Sequence, residues 1–333
     1  MRFRLVPDDT KIRFLRGRFI AIAVSAFLLL GSLVALVYPS LNFGIDFQGG
    51  ILMEVRTPGP ADLGSMRTNL NQLGLGEVAL QEFGAETDVL IRVARQAGDE
   101  DAQQVAVVAV QNALDELIGE GISYRRTEFV GPKVSEELLQ AGVMAISLAL
   151  VAVLIYIWFR FEWQYGVGAI VALIHDVLLT LGLFAITGLE VNLTTVAAVL
   201  TIVGYSLNDT VVIFDRVREN LRRYRSMEIS ELLDTSLNET LARTLMTSLT
   251  TLLALFSLYF FGGEVIKGFT FAMIWGVLVG TYSTVYIATP ILLQLNLRAI
   301  GAKADAAAKA RAEAGERPAI EGPGPAQRGK AGG

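Results

Sequence analysis

Residues 191–216 read VNLTTVAAVLTIVGYSLNDTVVIFDR, an apolar run that carries an acid, Asp209, near its end and stops at Asp215 and Arg216. A helix rising ~1.5 Å per residue needs about 20 such residues to cross a bilayer core. A carboxylate inside that core is costly unless it is neutral, paired or wetted. What surrounds Asp209 therefore decides both the fold and the function.

Runs of the same kind recur at 19–38, 138–159, 166–187, 244–261 and 269–295, which with 191–214 makes six spans. Composition agrees: 53% of the 333 residues are hydrophobic and only 18% charged, with a mean hydropathy of +0.49. That excludes an ordinary water-soluble globule. The run at 19–38 follows Arg13, Arg16 and Arg18 as a signal peptide would, but it is longer than the ~7–15 residues of such a core and lacks a small-x-small cleavage site, so it reads as a retained anchor. Net charge is only −5, and the basic residues flank the apolar runs in a pattern that does not suggest a nucleic-acid partner.

Lys and Arg favour the cytoplasmic side of short loops. Arg2, Arg4, Lys11, Arg13, Arg16 and Arg18 precede the first span. Arg160 follows the second, Arg216, Arg218, Arg222, Arg223 and Arg225 the fourth, and Arg298 and Lys303 the sixth. The opposite loops, near 188–190 and 262–268, offer only Lys267. Both termini are then cytoplasmic: residues 1–18 form a basic leader, 137–295 hold spans two to six, and 296–333, lacking large apolar residues, form a disordered cytoplasmic tail. The basic stretch 216–240 reads as one or two amphipathic helices on the cytoplasmic face.

Residues 39–136 fall outside the cytoplasm and are numerous enough for a domain. GGILMEVRT reads as a strand, 61–73 as a helix, EVALQEFG and TDVLIRVA as two strands, 100–119 as an amphipathic helix and GISYRRTEFV as a last strand. Val105, Val108, Ala109, Asn112 and Ala113 fall at helical spacing in the second helix. The order β-α-β-β-α-β is that of the ferredoxin-like split βαβ unit. The expected fold is thus a six-helix polytopic membrane protein with one extracytoplasmic α+β ferredoxin-like domain.

Thr201, Tyr205 and Asn208 precede Asp209 at helical spacing and suggest a polar stripe turned away from lipid. Arg243, opening the fifth span in NETLARTLMTSLTTLLALF, lies at similar depth, with Thr247 and Thr251 on its face. Two readings of Asp209 and Arg243 stay open: a static buried ion pair that fixes register, and a pair whose proton comes and goes as the helices move. His175 and Asp176, adjacent in the third span and about 100° apart, would face different neighbours, with Asp176 a second proton-path or packing candidate. Gly276 and Gly280 form a GxxxG suited to close helix packing. Gly49 and Gly50 suit a turn into the first strand, and Asp46 before them reads as a cap or a functional acid. The sequence has no Walker A loop, no G-x-S-x-G, no cysteine and one histidine, so no enzyme, metal or cofactor is implied, and a proton gradient is the available energy source.

FGIDFQGG, the block from ALIHDVLLTLG through GYSLNDTVVIFDRVREN, and SLNETLARTLMTSLTTLLALF together resemble the SecF family of bacterial protein-export subunits, over about residues 15–295. The resemblance implies residence in the inner membrane, with the domain periplasmic. It implies proton-motive-force-driven help for polypeptide translocation, an obligate SecD partner on a separate chain, the SecYEG channel, and YajC as a further candidate partner. It also implies that Asp209 and Arg243 are proton-coupling residues; the residues themselves add Asp176, Asn208 and Thr247 as secondary candidates, and the Gly276–Gly280 face is a guess for the SecD contact. A small-molecule efflux transporter of the same resistance-nodulation-division superfamily and a non-conducting scaffold of the export channel are the alternatives.

Overall fold

The computed structural model describes residues 7, 10–98, 100–295 and 297; the expected tail and the start of the basic leader lie outside them. Six of its helices are long and apolar enough to cross a membrane: 14–37, 132–160, 163–187, 193–223, 229–261 and 267–294. They comprise α1 (Arg18–Val37) with the helical turn before it, α5 (Pro132–Arg160), α6 (Trp163–Thr187), α7 (Leu193–Arg223), α8 (Ile229–Phe261), and α9 (Lys267–Ser283) running through a π-helical turn at Thr284–Ala288 into α10 (Thr289–Gln294).

No surface helices occupy 216–240, which corrects the reading of that stretch. Instead α7 continues to Arg223 and α8 begins at Ile229. Val217 on α7 and Leu232, Leu233 and Leu237 on α8 are buried in one apolar cluster with Phe214 and Leu15. The amphipathic pattern is therefore satisfied by the helix extensions packing on each other. Arg216 reaches Glu239 across them at 2.7 Å and Glu219 on its own helix at 2.6 Å, and Arg222 and Arg223 close α7 at its negative dipole end.

The spans are not equally enclosed. The apolar windows of α6, α7 and the sixth span are 56%, 44% and 67% buried, whereas those of α5 and α8 are 6% and 17% buried, so the core is α6–α7–α9. Glycines set its spacing. A Cβ on Gly276 would overlap the Ile202 side chain, and one on Gly280 would lie 3.1 Å from Ser206 Cβ. The GxxxG face is thus taken by the chain's own α7 and is not free for another subunit. Likewise Gly182 lets Ser32 of α1 approach α6.

Between α1 and α5 the chain forms β1 (Asn42–Phe43), α2 (Ile45–Gln48), β2 (Gly50–Arg56), α3 (Leu63–Asn71), β3 (Val78–Phe83), β4 (Ala85–Val93), α4 (Glu100–Ile118) and β5 (Ser123–Val130). The four longer strands make an antiparallel sheet in the order β3-β4-β2-β5. One face, through Ile51, Met53, Val55 and Ile91, packs on α3 and α4. The buried side of α4 is not the one its valines suggest: Val105 and Val108 are 69% and 44% exposed, and Ala106, Val107, Val110 and Leu114 face the sheet. Gln103 lies on the same buried side, tied to Gln96 by hydrogen bonds at 2.9 and 3.3 Å.

Two short elements were not foreseen. β1 pairs in parallel with β6 (Glu190–Val191), in the connection between α6 and α7. Gly49 and Gly50, at φ +73° and +119°, turn the chain from α2 into β2 through conformations that favour glycine.

Candidate functional site

Asp209 sits on the inner face of α7, 8% exposed. Its Oδ1 accepts a hydrogen bond from Thr244 Oγ1 at 2.6 Å, while its Oδ2 is buried with no hydrogen-bond partner among the described residues. The expected counter-charge is one residue away on α8: Thr244 points inward and Arg243 outward, exposed. Neighbouring helical residues diverge by about 100°, so α8 can present one or the other, and here it presents the hydroxyl. No ion pair joins Asp209 and Arg243 among the described residues, although the guanidinium remains within electrostatic reach of the carboxylate.

The polar stripe on α7 differs from the one expected. Thr201 and Asn208 are exposed, and Thr201 Oγ1 turns back to the Ala197 carbonyl at 2.7 Å. Tyr205, half-buried, donates to Ser248 Oγ at 3.3 Å, and Ser248 meets Thr281 Oγ1 at 2.8 Å. The buried hydroxyls beside Asp209 are Ser206 and Thr210. Thr247 donates to the Thr244 carbonyl at 3.0 Å and does not reach the acid; Thr251 is half-buried.

Asp176, 1% exposed, is the opposite case. Its Oδ2 accepts from Ser206 Oγ at 2.6 Å and Ser283 Oγ at 2.8 Å, and its Oδ1 lies 2.9 Å from His175 Nδ1. The expectation that these adjacent residues do not meet is therefore wrong. The ring, stacked on Tyr282 at 6.2 Å, and the short carboxylate both turn into the gap between α6 and α9. With α6 running from Trp163 to Thr187, Asp176 lies at mid-helix. The acid joins α6, α7 and α9 in one node. A second contact between α7 and the sixth span, Thr210 Oγ1 to Thr284 Oγ1 at 3.1 Å, falls at the start of the π turn, a distortion that often marks functional sites.

Ser206, Ser283, Thr284 and Thr244 were missed, and only a weak signal pointed to them. SLNDT puts hydroxyls three residues before and one after Asp209, and TYST at 281–284 sets three hydroxyl groups and a phenol in an apolar run. Asp46 lies apart, at the other end of the bundle, where its Oδ2 accepts from the Leu193 backbone N–H at 2.9 Å and so caps α7. Among the described residues no group of three His, Cys, Asp or Glu side chains could hold a metal. The site thus offers a buried carboxylate with one bonded oxygen and one without a partner among the described residues, a group able to gain or lose a proton.

Two family models match the chain: "Protein export membrane protein SecD/SecF, C-terminal" over residues 109–298 and "SecD/SecF GG Motif" over 41–57. The protein translocase subunit SecF of Rickettsia bellii is 45% identical over 289 residues, covering 87% of this chain and 95% of that protein. The SecF of Cereibacter sphaeroides is 43% identical over 313 residues, covering 92% and 96%. Among solved structures, SecDF from Thermus thermophilus, described as a translocon-associated membrane protein, aligns with a TM-score of 0.78 and 32% identity over 86% of this chain. SecDF in a super-membrane-facing form aligns with a TM-score of 0.66 and 31% identity over 92% of it. The chain spans 39% and 41% of those SecDF chains.

Proposed function

The chain belongs to the SecF family of protein translocase subunits, and we propose that it assists export by passing protons at Asp209, in obligate partnership with SecD. It is a multi-pass membrane protein of the Sec export pathway. The SecD pairing is supported by the SecDF structures, in which a chain of more than twice this length includes the matched part. SecYEG, YajC and an unfolded polypeptide in transit are the further partners of this reading. The excess of Arg and Lys at the α1, α5–α6 and α7–α8 ends supports a cytoplasmic placement of that side, which puts the domain of 39–136 in the periplasm. Its sheet order with helices on one face supports the ferredoxin-like assignment.

One observation carries the mechanism: within the span, Asp209 keeps an oxygen that no described group satisfies. Neutral, the carboxyl group is tolerable beside Thr244 alone. Ionised, it demands a second partner, and Arg243, adjacent to Thr244 on a long stem, can supply it when α8 turns or the guanidinium swings inward. Loading and unloading the proton thus biases how α7 and α8 meet. No covalent chemistry enters this cycle; the work comes from the ~2.3 kcal/mol per charge per 100 mV of the membrane potential.

The test is proton-motive-force-dependent export in membrane vesicles carrying Asp209→Asn, with co-purification of SecD as the assembly control. Asparagine keeps shape and hydrogen bonding but cannot titrate. Lost stimulation with the complex intact supports proton exchange at Asp209; retained stimulation overturns it.

A further inference from the structure

Resting on the proton-driven reading above, we infer that a polar joint built from Asn42, Asp46, Arg92 and Glu190 is the rigid strut that carries displacement of α7 into the β-sheet domain. The flanking spans α1 and α5 are the covalent route to that domain, yet α5 is barely buried against the bundle and supplies no side chain to the Asp176 node or to Asp209. The joint instead grips α7 itself.

Backbone and side-chain contacts both make it. Asp46 Oδ2 accepts from the Leu193 N–H at 2.9 Å, which places a carboxylate on the first turn of α7, where the helix dipole favours it. Asn192 caps the same turn through the Thr195 N–H at 3.1 Å, so Asp46 is a second, non-local cap brought from a different part of the chain. β1 and β6 pair in parallel, Asn42 with Glu190 and Phe43 with Val191, and the Gly44 N–H extends the pairing to the Val191 carbonyl at 2.9 Å. Asn42 Nδ2 donates to the Gly188 carbonyl at 2.9 Å.

Arg92 completes the joint from the sheet. It projects from β4 on the face not covered by helices, forms an ion pair with Glu190, and donates to Asn42 Oδ1 at 3.1 Å. Both charged side chains are only about a fifth exposed. Gly44 is required beside them, because a Cβ there would overlap the Glu190 carboxylate.

Below the polar contacts, Phe43 and Phe47 seat on the apolar cluster of Phe184, Val191, Ala198 and Ile202 at the outer ends of α6 and α7. Four residues after Asp46, the chain enters β2, a central strand of the sheet. The helix that carries Asp209 is thereby bonded at its far end to the segment that starts the sheet, and the sheet is bonded back to the strand that precedes the helix. Asp209 lies sixteen residues, or ~24 Å, from this joint along α7, so tilting about the proton site displaces the joint more than any point nearer to Asp209.

The experiment measures proton uptake and proton-motive-force-dependent export in vesicles that contain the assembled complex. Arg92→Glu and Glu190→Arg are each expected to keep proton uptake and SecD co-purification while export falls to its level without a gradient, and the double swap is expected to restore export. Asp46→Ala should behave like the single charge changes, and Asp46→Asn, which keeps an acceptor oxygen, should retain export. Because the chain has no cysteine, Phe43→Cys with Val191→Cys gives one oxidisable pair across β1 and β6, and locking it should leave export unchanged. Full export in the single charge variants overturns the strut, as does loss of export on locking, which would mean that the joint must open. Asp209→Asn run in parallel separates the two ideas: unchanged proton uptake there overturns the proton reading and the strut with it, whereas abolished uptake beside full export in the joint variants overturns the strut alone.

Discussion

Replacing Asp176 separates a structural acid from a proton carrier. The carboxylate accepts from Ser206 and Ser283 on one oxygen and meets His175 on the other, so Asp176→Leu removes three interactions in the middle of the bundle. Side-chain hydrogen bonds between membrane helices average ~0.6 kcal/mol with a maximum near 1.7, which gives about 2–5 kcal/mol. Ser283 has a second acceptor, the Gly280 carbonyl at 3.1 Å, so the loss should fall in the lower half of that range. Asp176→Asn is different. Its carboxamide oxygen can take both seryl donors, and its NH2 can donate to His175 Nδ1 once the imidazole carries its proton on Nε2. That nitrogen is buried without a partner, so the tautomer change leaves one unsatisfied donor, at about 1 kcal/mol. The assay is thermal melting in detergent, followed by circular dichroism, beside export in vesicles. Asp176→Asn should melt close to the parent protein and export normally, and Asp176→Leu should melt well below both. An asparagine variant that melts normally and fails to export would refute the reasoning, because Asp176 would then have to titrate.

Gly276→Ala should destabilise the protein by about 1–2 kcal/mol, the overpacking cost less the helical preference of alanine, since its Cβ overlaps Ile202; adding Ile202→Ala should recover part of that loss in a melting cycle, and simple additivity would count against the contact. Thr244→Val removes the hydrogen bond that the Asp209 side chain accepts among the described residues, so export stimulation should fall and its dependence on external pH should change, with SecD still co-purifying; an unaltered pH profile would show that the hydroxyl does not matter. In the sheet domain, Arg56 bonds both oxygens of Asp88 at 2.6 and 2.7 Å and holds that carboxyl below its usual range. A lowered folded-state pKa stabilises above the ordinary value near 4 and is lost as pH falls through the folded value, so Asp88→Asn should be less stable than the parent at neutral pH and equal to it in strong acid, as followed by acid titration of the melting temperature.

The spans and the alternating strands were legible because each buries a periodic face, and periodicity survives in a single sequence. What failed was rotation about helix axes. Arg243 and Thr244 are neighbours, and whether α8 shows Asp209 a cation or a hydroxyl depends on packing that no local pattern encodes. The same holds for α4, where Val107 and Val110 face the sheet and Val105 and Val108 do not. Ser283 reaches Asp176 from 107 residues away, a distance at which only the assembled bundle supplies the contact. β1 and β6 are two residues each, too short for alternation to show, although FGIDFQGG flagged the segment that joins them to the sheet. The stretch 216–240 was read as amphipathic, which it is; the face it buries belongs to the other helix of the same pair.

The contrast between the two acids of the bundle gives the moving parts. Asp176 is saturated and ties α6, α7 and α9 together one turn away from Asp209, and glycine contacts press α7 and α9 into close approach at Ile202 and Ser206. Those three helices therefore behave as one body. Asp209 faces the other way, toward α8, which carries Thr244 and, one residue before it, Arg243. On the proposed cycle, a charge that appears and disappears there acts on the boundary with α8, whose apolar window is only 17% buried, more than on the glycine-tightened contact between α7 and α9. With α7 capped by Asp46, the domain belongs to the stiff side of that boundary. On the proposed reading it moves with α6–α7–α9 against α8, so that a proton taken up at Asp209 would displace the sheet without any change within the node that Asp176 holds.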